Sequence, residues 1–165
     1  MRAVLKLISL WLSLAGSGAA LAQEPSVSAL TQLDRQYMQQ QRDNLDQVSR
    51  RNLGRQISGS KQNDIEVLQL LLDRRAVRSE QTAELQAMGM VLGDLLAQEL
   101  RMDWVIYADK LGRSRALRMP GTDEYLFPVT MISRRVEAGA RVDVAAVYDK
   151  AYRLMKPYAR PLPFQ

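Results

Sequence analysis

The side chains best able to do chemistry lie in the second half of the chain. Arg113 and Arg115 are two apart on the predicted return strand of a hairpin, so they share one face, while Arg118 takes the other. Arg134 and Arg135 follow on a predicted helix close behind. Guanidinium forks suit two-point capture of carboxylates or phosphates, so this set predicts an anion site or a surface for an acidic partner. Trp104 and Tyr107, with Tyr125 and Phe127, add aromatic area, and Arg with aromatics is the mixture favoured at interface centres. A plainer reading stands beside it. The arginines would form a solvated face, with Arg113 or Arg134 paired to Asp109, Asp123 or Glu124, and the aromatics would be core. The acidic set is Asp103, Asp109, Asp123 and Glu124. Two such carboxylates could serve as general acid and base in glycoside hydrolysis, or bind Ca²⁺ or Mg²⁺ through oxygen. Asp109 is accounted for by a turn and Asp123 by a loop, and no dense Asp-x-Asp-x-Asp loop occurs.

Composition narrows the chemistry further. The 165 residues include no His and no Cys. That excludes a thiol nucleophile, an imidazole base, a thiolate or imidazole metal site, an iron–sulfur cluster and any disulfide. No cofactor and no metal are expected, and no residue is assigned as catalytic. The formal charge of +5 is unevenly spread. Residues 23–100 hold 9 basic and 11 acidic groups, whereas residues 101–165 hold 12 and 7. The basic half is the one that carries the predicted strands, and it would attract anions.

The first segment reads as an export signal. Arg2 and Lys6 form a positive start, an apolar run spans Leu7 to Ala15, and Ala20-Leu21-Ala22 has the small-x-small form of a cleavage site. Cleavage is expected after Ala22, giving a periplasmic or, alternatively, secreted protein. The apolar run is shorter than the roughly 20 residues a membrane span needs, and no later segment is apolar enough to span. Nucleic acid is not an expected partner after export.

These side chains need elements to position them. Leu30, Leu33, Tyr37, Leu45 and Val48 fall at helical intervals, predicting a long helix over 29–55 that Gly54 ends. Residues 23–28 read as a flexible lead-in. After a loop at Ser58–Gln62, Asn63 is the expected N-cap of a second helix, which Asp73-Arg74-Arg75 closes. Ser79 is the expected cap of a third, over 80–101. Its Gly89 and Gly93 each cost about 1 kcal/mol relative to Ala, which predicts close approach of another helix or the sheet. The period then turns strand-like at Asp103–Ala108. Asp109-Lys110-Leu111-Gly112 is a hairpin turn, Arg113–Met119 the return strand, Pro120-Gly121 a type II turn and Glu124–Phe127 a third short strand. Val129, Ile132 and Val136 suggest a short helix stopped by Gly139. Asp143 caps a last one, and Pro157, Pro161 and Pro163 predict an extended tail. The fold class is α+β: N-terminal helices packed on a three-stranded antiparallel meander, followed by one or two C-terminal helices. The expected divisions are 1–22 for the signal, 23–91 for the helical region, 92–156 for an α+β domain and 157–165 for the tail. That tail would be a strap across the domain or a Pro-rich ligand for a partner.

The segment from Leu92 to Tyr148 carries Leu92-Gly93-Asp94, Asp103-Trp104-Val105, Asp109-x-x-Gly112-Arg113, Ala116-Leu117, Phe127-Pro128 and Ser133-Arg134-Arg135. In order and spacing this set resembles a bacterial family catalogued only as domain of unknown function 3806. The resemblance supports a domain over that stretch and implies no reaction.

The reading favoured by the residues is a non-enzymatic interaction module. It would use the basic and aromatic hairpin, Arg113, Arg115, Arg134, Arg135, Trp104 and Tyr107, to hold a periplasmic protein or an acidic envelope component. A cell-envelope glycan hydrolase working through Asp103, Asp109, Asp123 and Glu124, and a carrier of a small anionic ligand, are the alternatives.

Overall fold

A computed structural model describes residues 24–159. The expected export signal and the part of the tail beyond Ala159 lie outside the described residues.

The first helix, α1 (Gln32–Leu53), has its ends written in the sequence. Thr31 and Asp34 form a reciprocal capping box, and Gly54 stops the helix in a left-handed conformation at φ +64°. Its buried face differs from the expected one. Asp34, Met38, Leu45 and Ser49 point inward, while Leu33 and Tyr37 are exposed. Only the start of the stripe is shifted, from Leu33 and Tyr37 to Asp34 and Met38; Leu30 and Leu45 are buried and Val48 packs against the core as expected.

Helix α2 (Lys61–Asp73) begins two residues before Asn63. Ser60 occupies the N-cap position, and Asn63 sits inside the first turn. Asp64 does the local organising instead: its buried carboxylate accepts the Ser58 and Gly59 amides at 2.8 Å each. Helix α3 (Thr82–Leu100) is buried on almost every side, from Leu85 to Leu100. Gln81, not Ser79, is its N-cap residue; the Ser79 hydroxyl is taken by Glu80. The two glycines have the predicted reason. A Cβ on Gly89 would stand 2.6 Å from the Val129 carbonyl oxygen, and one on Gly93 would strike the Trp104 ring, with one ring carbon at 2.7 Å. The absence of side chains there lets the chain at Pro128–Val129 and the indole lie against α3.

The described residues form a four-stranded antiparallel sheet in the order β1-β2-β3-β4: β1 (Ser26–Ala29), β2 (Asp103–Asp109), β3 (Gly112–Arg118) and β4 (Tyr125–Leu126). The three-stranded expectation is corrected by β1, which pairs Ser26–Ala29 with Ala108–Val105 where a flexible lead-in was predicted. Three of its four side chains are exposed, so the strand exists through backbone pairing and leaves little apolar pattern. The alternation of β2 holds. Ile106 packs with Leu30, Met38 and Met90 of the helical side, and Trp104 packs against the same cluster. Their cross-strand neighbours Leu117 and Arg115 share that face. Leu117 and Leu126 join a core that runs from Leu45 to Met155, and each fully buried Leu contributes about 2 kcal/mol.

The chain leaves the sheet through α4 (Val129–Glu137) and α5 (Val144–Met155). Asp143 caps α5 as expected, its carboxylate accepting the Ala146 amide at 2.9 Å. Lys156–Tyr158 then form one 3-10 turn, where an extended tail was predicted to start. Pro157 fits the first turn of such a helix, since its missing N–H would have no partner there. Among the described residues no helix is long and apolar enough to cross a membrane.

Candidate binding groove at the open edge of β3

Strand β3 is paired unequally along its length. On the β2 side all seven residues, Gly112 to Arg118, are in register with Asp109 to Asp103. On the β4 side only Leu117 and Arg118 are paired, because β4 ends at Leu126. Pro128 has no N–H to continue a ladder, and the chain turns into α4 at Val129. The Met119 amide donates to the Glu124 carbonyl at 3.0 Å, which makes Leu117 the hydrogen-bonded partner of Leu126. In an antiparallel ladder such residues alternate. Arg113 and Arg115 share the parity of Leu117, so their N–H and C=O groups point to the β4 side, where the described residues provide no ladder partner.

The gap left by β4 is a groove of about 510 Å³. Arg113, Ser114 and Arg115 form one wall; Phe127, Val129, Thr130 and Arg134 form the other. Gln86 of α3 also lines it, together with Tyr107, and Asp109 and Leu111 lie at the hairpin tip. Tyr107 meets Phe127 edge to face at 5.4 Å and Tyr125 at 5.0 Å between ring centres.

Asp34 anchors the basic wall. It is only 4% exposed, and its carboxylate accepts Arg113 Nη1 and Nη2 at 3.0 and 2.7 Å and Arg115 Nη2 at 3.2 Å. The Thr31 hydroxyl and amide donate to the same carboxylate at 2.6 and 3.0 Å. The Arg113 guanidinium, and then Thr31, hold the Asp34 carboxyl well below the usual range against the opposing effect of burial. The same bond raises Arg113 further. Arg115 also lies over the Tyr37 ring at 4.3 Å, and its buried Nε finds no acceptor among the described residues.

The structure therefore brings Arg113, Arg115, Arg134 and Tyr107 together and leaves out two of the expected site residues. Arg135 turns back to the Met131 carbonyl of its own helix. Trp104 is directed into the core, where its Nε1 donates to Asp94 at 2.9 Å. The partner of Arg113 is also not one of those predicted: Asp34 takes it, in place of Asp109, Asp123 or Glu124. The acidic set divides between the two ends of the hairpin, with Asp109 at the tip and the other three around Arg118. Asp109 accepts the Leu111 amide at 2.8 Å within the turn. Asp103 lies at the far end of β2, about 20 Å away along six extended residues. Asp123 is an exposed partner of Arg118 at 3.1 Å, and Glu124 sits beside it in the loop before β4.

Several carboxylates that sequence reading passed over hold the fold. Asp94 receives Arg42 through two bonds of 2.5 and 2.7 Å, tying α1 to α3. Glu99 accepts Lys61 at 2.9 Å and the Tyr148 hydroxyl at 2.5 Å. Burial pushes Glu99 up, but Tyr148 and Lys61 outweigh it and leave the carboxyl below its usual range; burial, then Glu99, pushes Tyr148 up. A second cavity, of about 260 Å³, is lined by Asp43, Asp46, Asp64 and Asp94. Each of these already accepts a bond from a neighbouring group. Hollows of about 480 and 720 Å³ flank Arg141 and Val142, and none of the sequence-derived candidates lines them. For Asp34 a signal was available: Thr31-x-x-Asp34 has the spacing of a capping box.

A profile of the family described as "Domain of unknown function (DUF3806)" matches residues 64–148, just over half of the chain. The match begins in α2 and ends at Tyr148, so it takes in the segment that carries the motif resemblance together with helical sequence before Leu92. No curated protein matches the chain. A crystal structure from Bacteroides thetaiotaomicron is similar at a TM-score of 0.70 with 18% sequence identity. The similarity covers 79% of this chain and 48% of that one, so the chain spans about half the length of the structure it matches. At that identity the likeness concerns the fold alone.

Proposed function

The chain belongs to the DUF3806 family, a domain of unknown function, and from that footing we propose that it is an exported, non-enzymatic interaction module whose working surface is the groove beside β3. The observation that carries the reading is convergence. Arg113 and Arg115 from β3, Arg134 from α4, Tyr107 from β2 and Phe127 beyond β4 line one recess. Three guanidinium groups beside aromatic rings suit an acidic partner. Export is supported by the Arg2/Lys6 start, the apolar run to Ala15 and Ala20-Leu21-Ala22. The hydrolase alternative has less behind it: Asp103, Asp123 and Glu124 gather around Arg118 at the far end of the hairpin, and none of them lines a hollow described above.

Arg113 and Arg115 also hold Asp34, so replacing them would disturb the fold. Arg134 and Arg135 give the clean test. They are exposed neighbours on one helix, and only Arg134 lines the groove. Pull-down from periplasmic extract should lose its specific partners with Arg134→Glu and keep them with Arg135→Glu. Identical partner sets for both variants and the wild type would refute the groove as working surface. Export should yield a periplasmic protein whose mass begins at Gln23; a full-length cytoplasmic product would refute that part.

A further inference from the structure

We infer that the groove accepts an extended acidic polypeptide segment, which adds to the sheet as a strand along the tip half of β3. This rests on the interaction reading above and gives it a partner chemistry and a binding mode.

Two independent features meet at the same place. The first is the backbone. Arg113 and Arg115 direct two donors and two acceptors into the space β4 vacates after Leu126. A small anion could use only the donors. An extended chain satisfies donors and acceptors alike, at the inter-strand spacing of about 4.8 Å. The second is charge. Arg113, Arg115 and Arg134 surround the space. Asp34 answers one of those three charges and Asp109, at the hairpin tip, a second, so one net positive charge faces the space. Charged side chains on a strand edge deter pairing with strands of like charge, so this edge rejects a basic strand and draws an acidic one.

Strand geometry fixes which residues of the partner must be acidic. The segment continues the antiparallel pairing of the sheet, so a residue hydrogen-bonded opposite Arg113 or Arg115 projects its side chain on the same face as those arginines. Acidic residues therefore belong at the two positions whose own backbone pairs with β3. The residues between them project to the other face, beside Ser114, and need no charge.

The test uses fluorescence anisotropy with the purified protein and a labelled decapeptide alternating Glu and Val. The peptide should bind, its Lys-for-Glu counterpart should not, and Arg134→Glu should weaken binding at least fivefold. N-methylation of the Glu amides removes the paired donors and should weaken binding about tenfold or more, whereas N-methylation of the Val amides should be tolerated within about twofold. Equal binding of the two N-methylated forms would overturn strand addition while leaving a charge-based surface intact. Equally effective displacement by inorganic phosphate or free glutamate would assign the groove to small anions and overturn the inference. Absence of peptide binding at millimolar concentration would overturn it as well. The Arg134/Arg135 pull-down would still judge the wider reading on its own.

Discussion

The two halves of β3 are built on different physics although they belong to one seven-residue strand. The half next to the loop before β4, Ala116–Arg118, is paired on its β4 side at Leu117 and Arg118, and Ala116 and Leu117 are completely buried. Trp104 lies across from Leu117 and reaches Asp94 through its indole. The half next to the hairpin turn, Gly112–Arg115, is paired on one side only and is mostly exposed. What holds it to α1 is the Asp34 carboxylate between two arginines. Packing secures the first half, and charge secures the second. The lesson is that the tip can present unpaired backbone and surplus positive charge without loosening the sheet, because the base of the hairpin is fixed independently.

That contrast can be broken from either end. The largest effect should come from the packed half. Leu117→Ala removes a fully buried side chain and should cost about 3 kcal/mol in chemical denaturation. The loss should be nearly the same at low and high salt. Asp34→Asn at the charged half should cost about 2 kcal/mol, since charge-assisted hydrogen bonds are lost but shape is kept. Here the loss should shrink as salt rises, because Arg113 is half exposed.

Acid gives the same contrast a sign. The folded-state pKa of Asp34 lies below the value near 3.9 of an unperturbed Asp. Its stabilisation is therefore complete above about pH 5 and declines as pH falls through 4 toward the folded value. Wild type should lose stability on that descent more steeply than Asp34→Asn. Parallel curves would contradict the charge-held tip. Trp104→Phe should cost about 1 kcal/mol through its bond to Asp94. Arg134→Glu should change stability by less than about 0.5 kcal/mol, so any loss of partner binding in that variant reports on the groove.

Most element ends were legible because their signals are local. Gly54, Pro120-Gly121, Gly139 and Asp143 each act through their own backbone or the next few residues, and each stands where the sequence placed it. Gly89 and Gly93 were legible as a question: their cost predicted close approach, and the structure supplied Val129 and Trp104 as the neighbours. Strand β1 was not legible, since its pairing with β2 is a backbone event between residues about 80 apart and leaves no periodic pattern. For the groove, the sequence gathered Arg113, Arg115, Arg134 and Tyr107 on chemistry alone. It misplaced Trp104 and Arg135, and it missed Asp34, because whether a polar side chain turns inward depends on a partner far along the chain. Arg113 lies 79 residues from Asp34.

Amide hydrogen exchange resolved by residue tests the central claim most directly, because it reads the β3 edge itself. In the free protein Arg113 and Arg115 amides should exchange much faster than those of Ser114, Ala116 and Leu117. Adding the alternating Glu/Val peptide should slow Arg113 and Arg115 and leave the other three unchanged. If Arg113 and Arg115 are already as protected as Leu117, or stay fast at saturating peptide, the open and recruitable edge is contradicted.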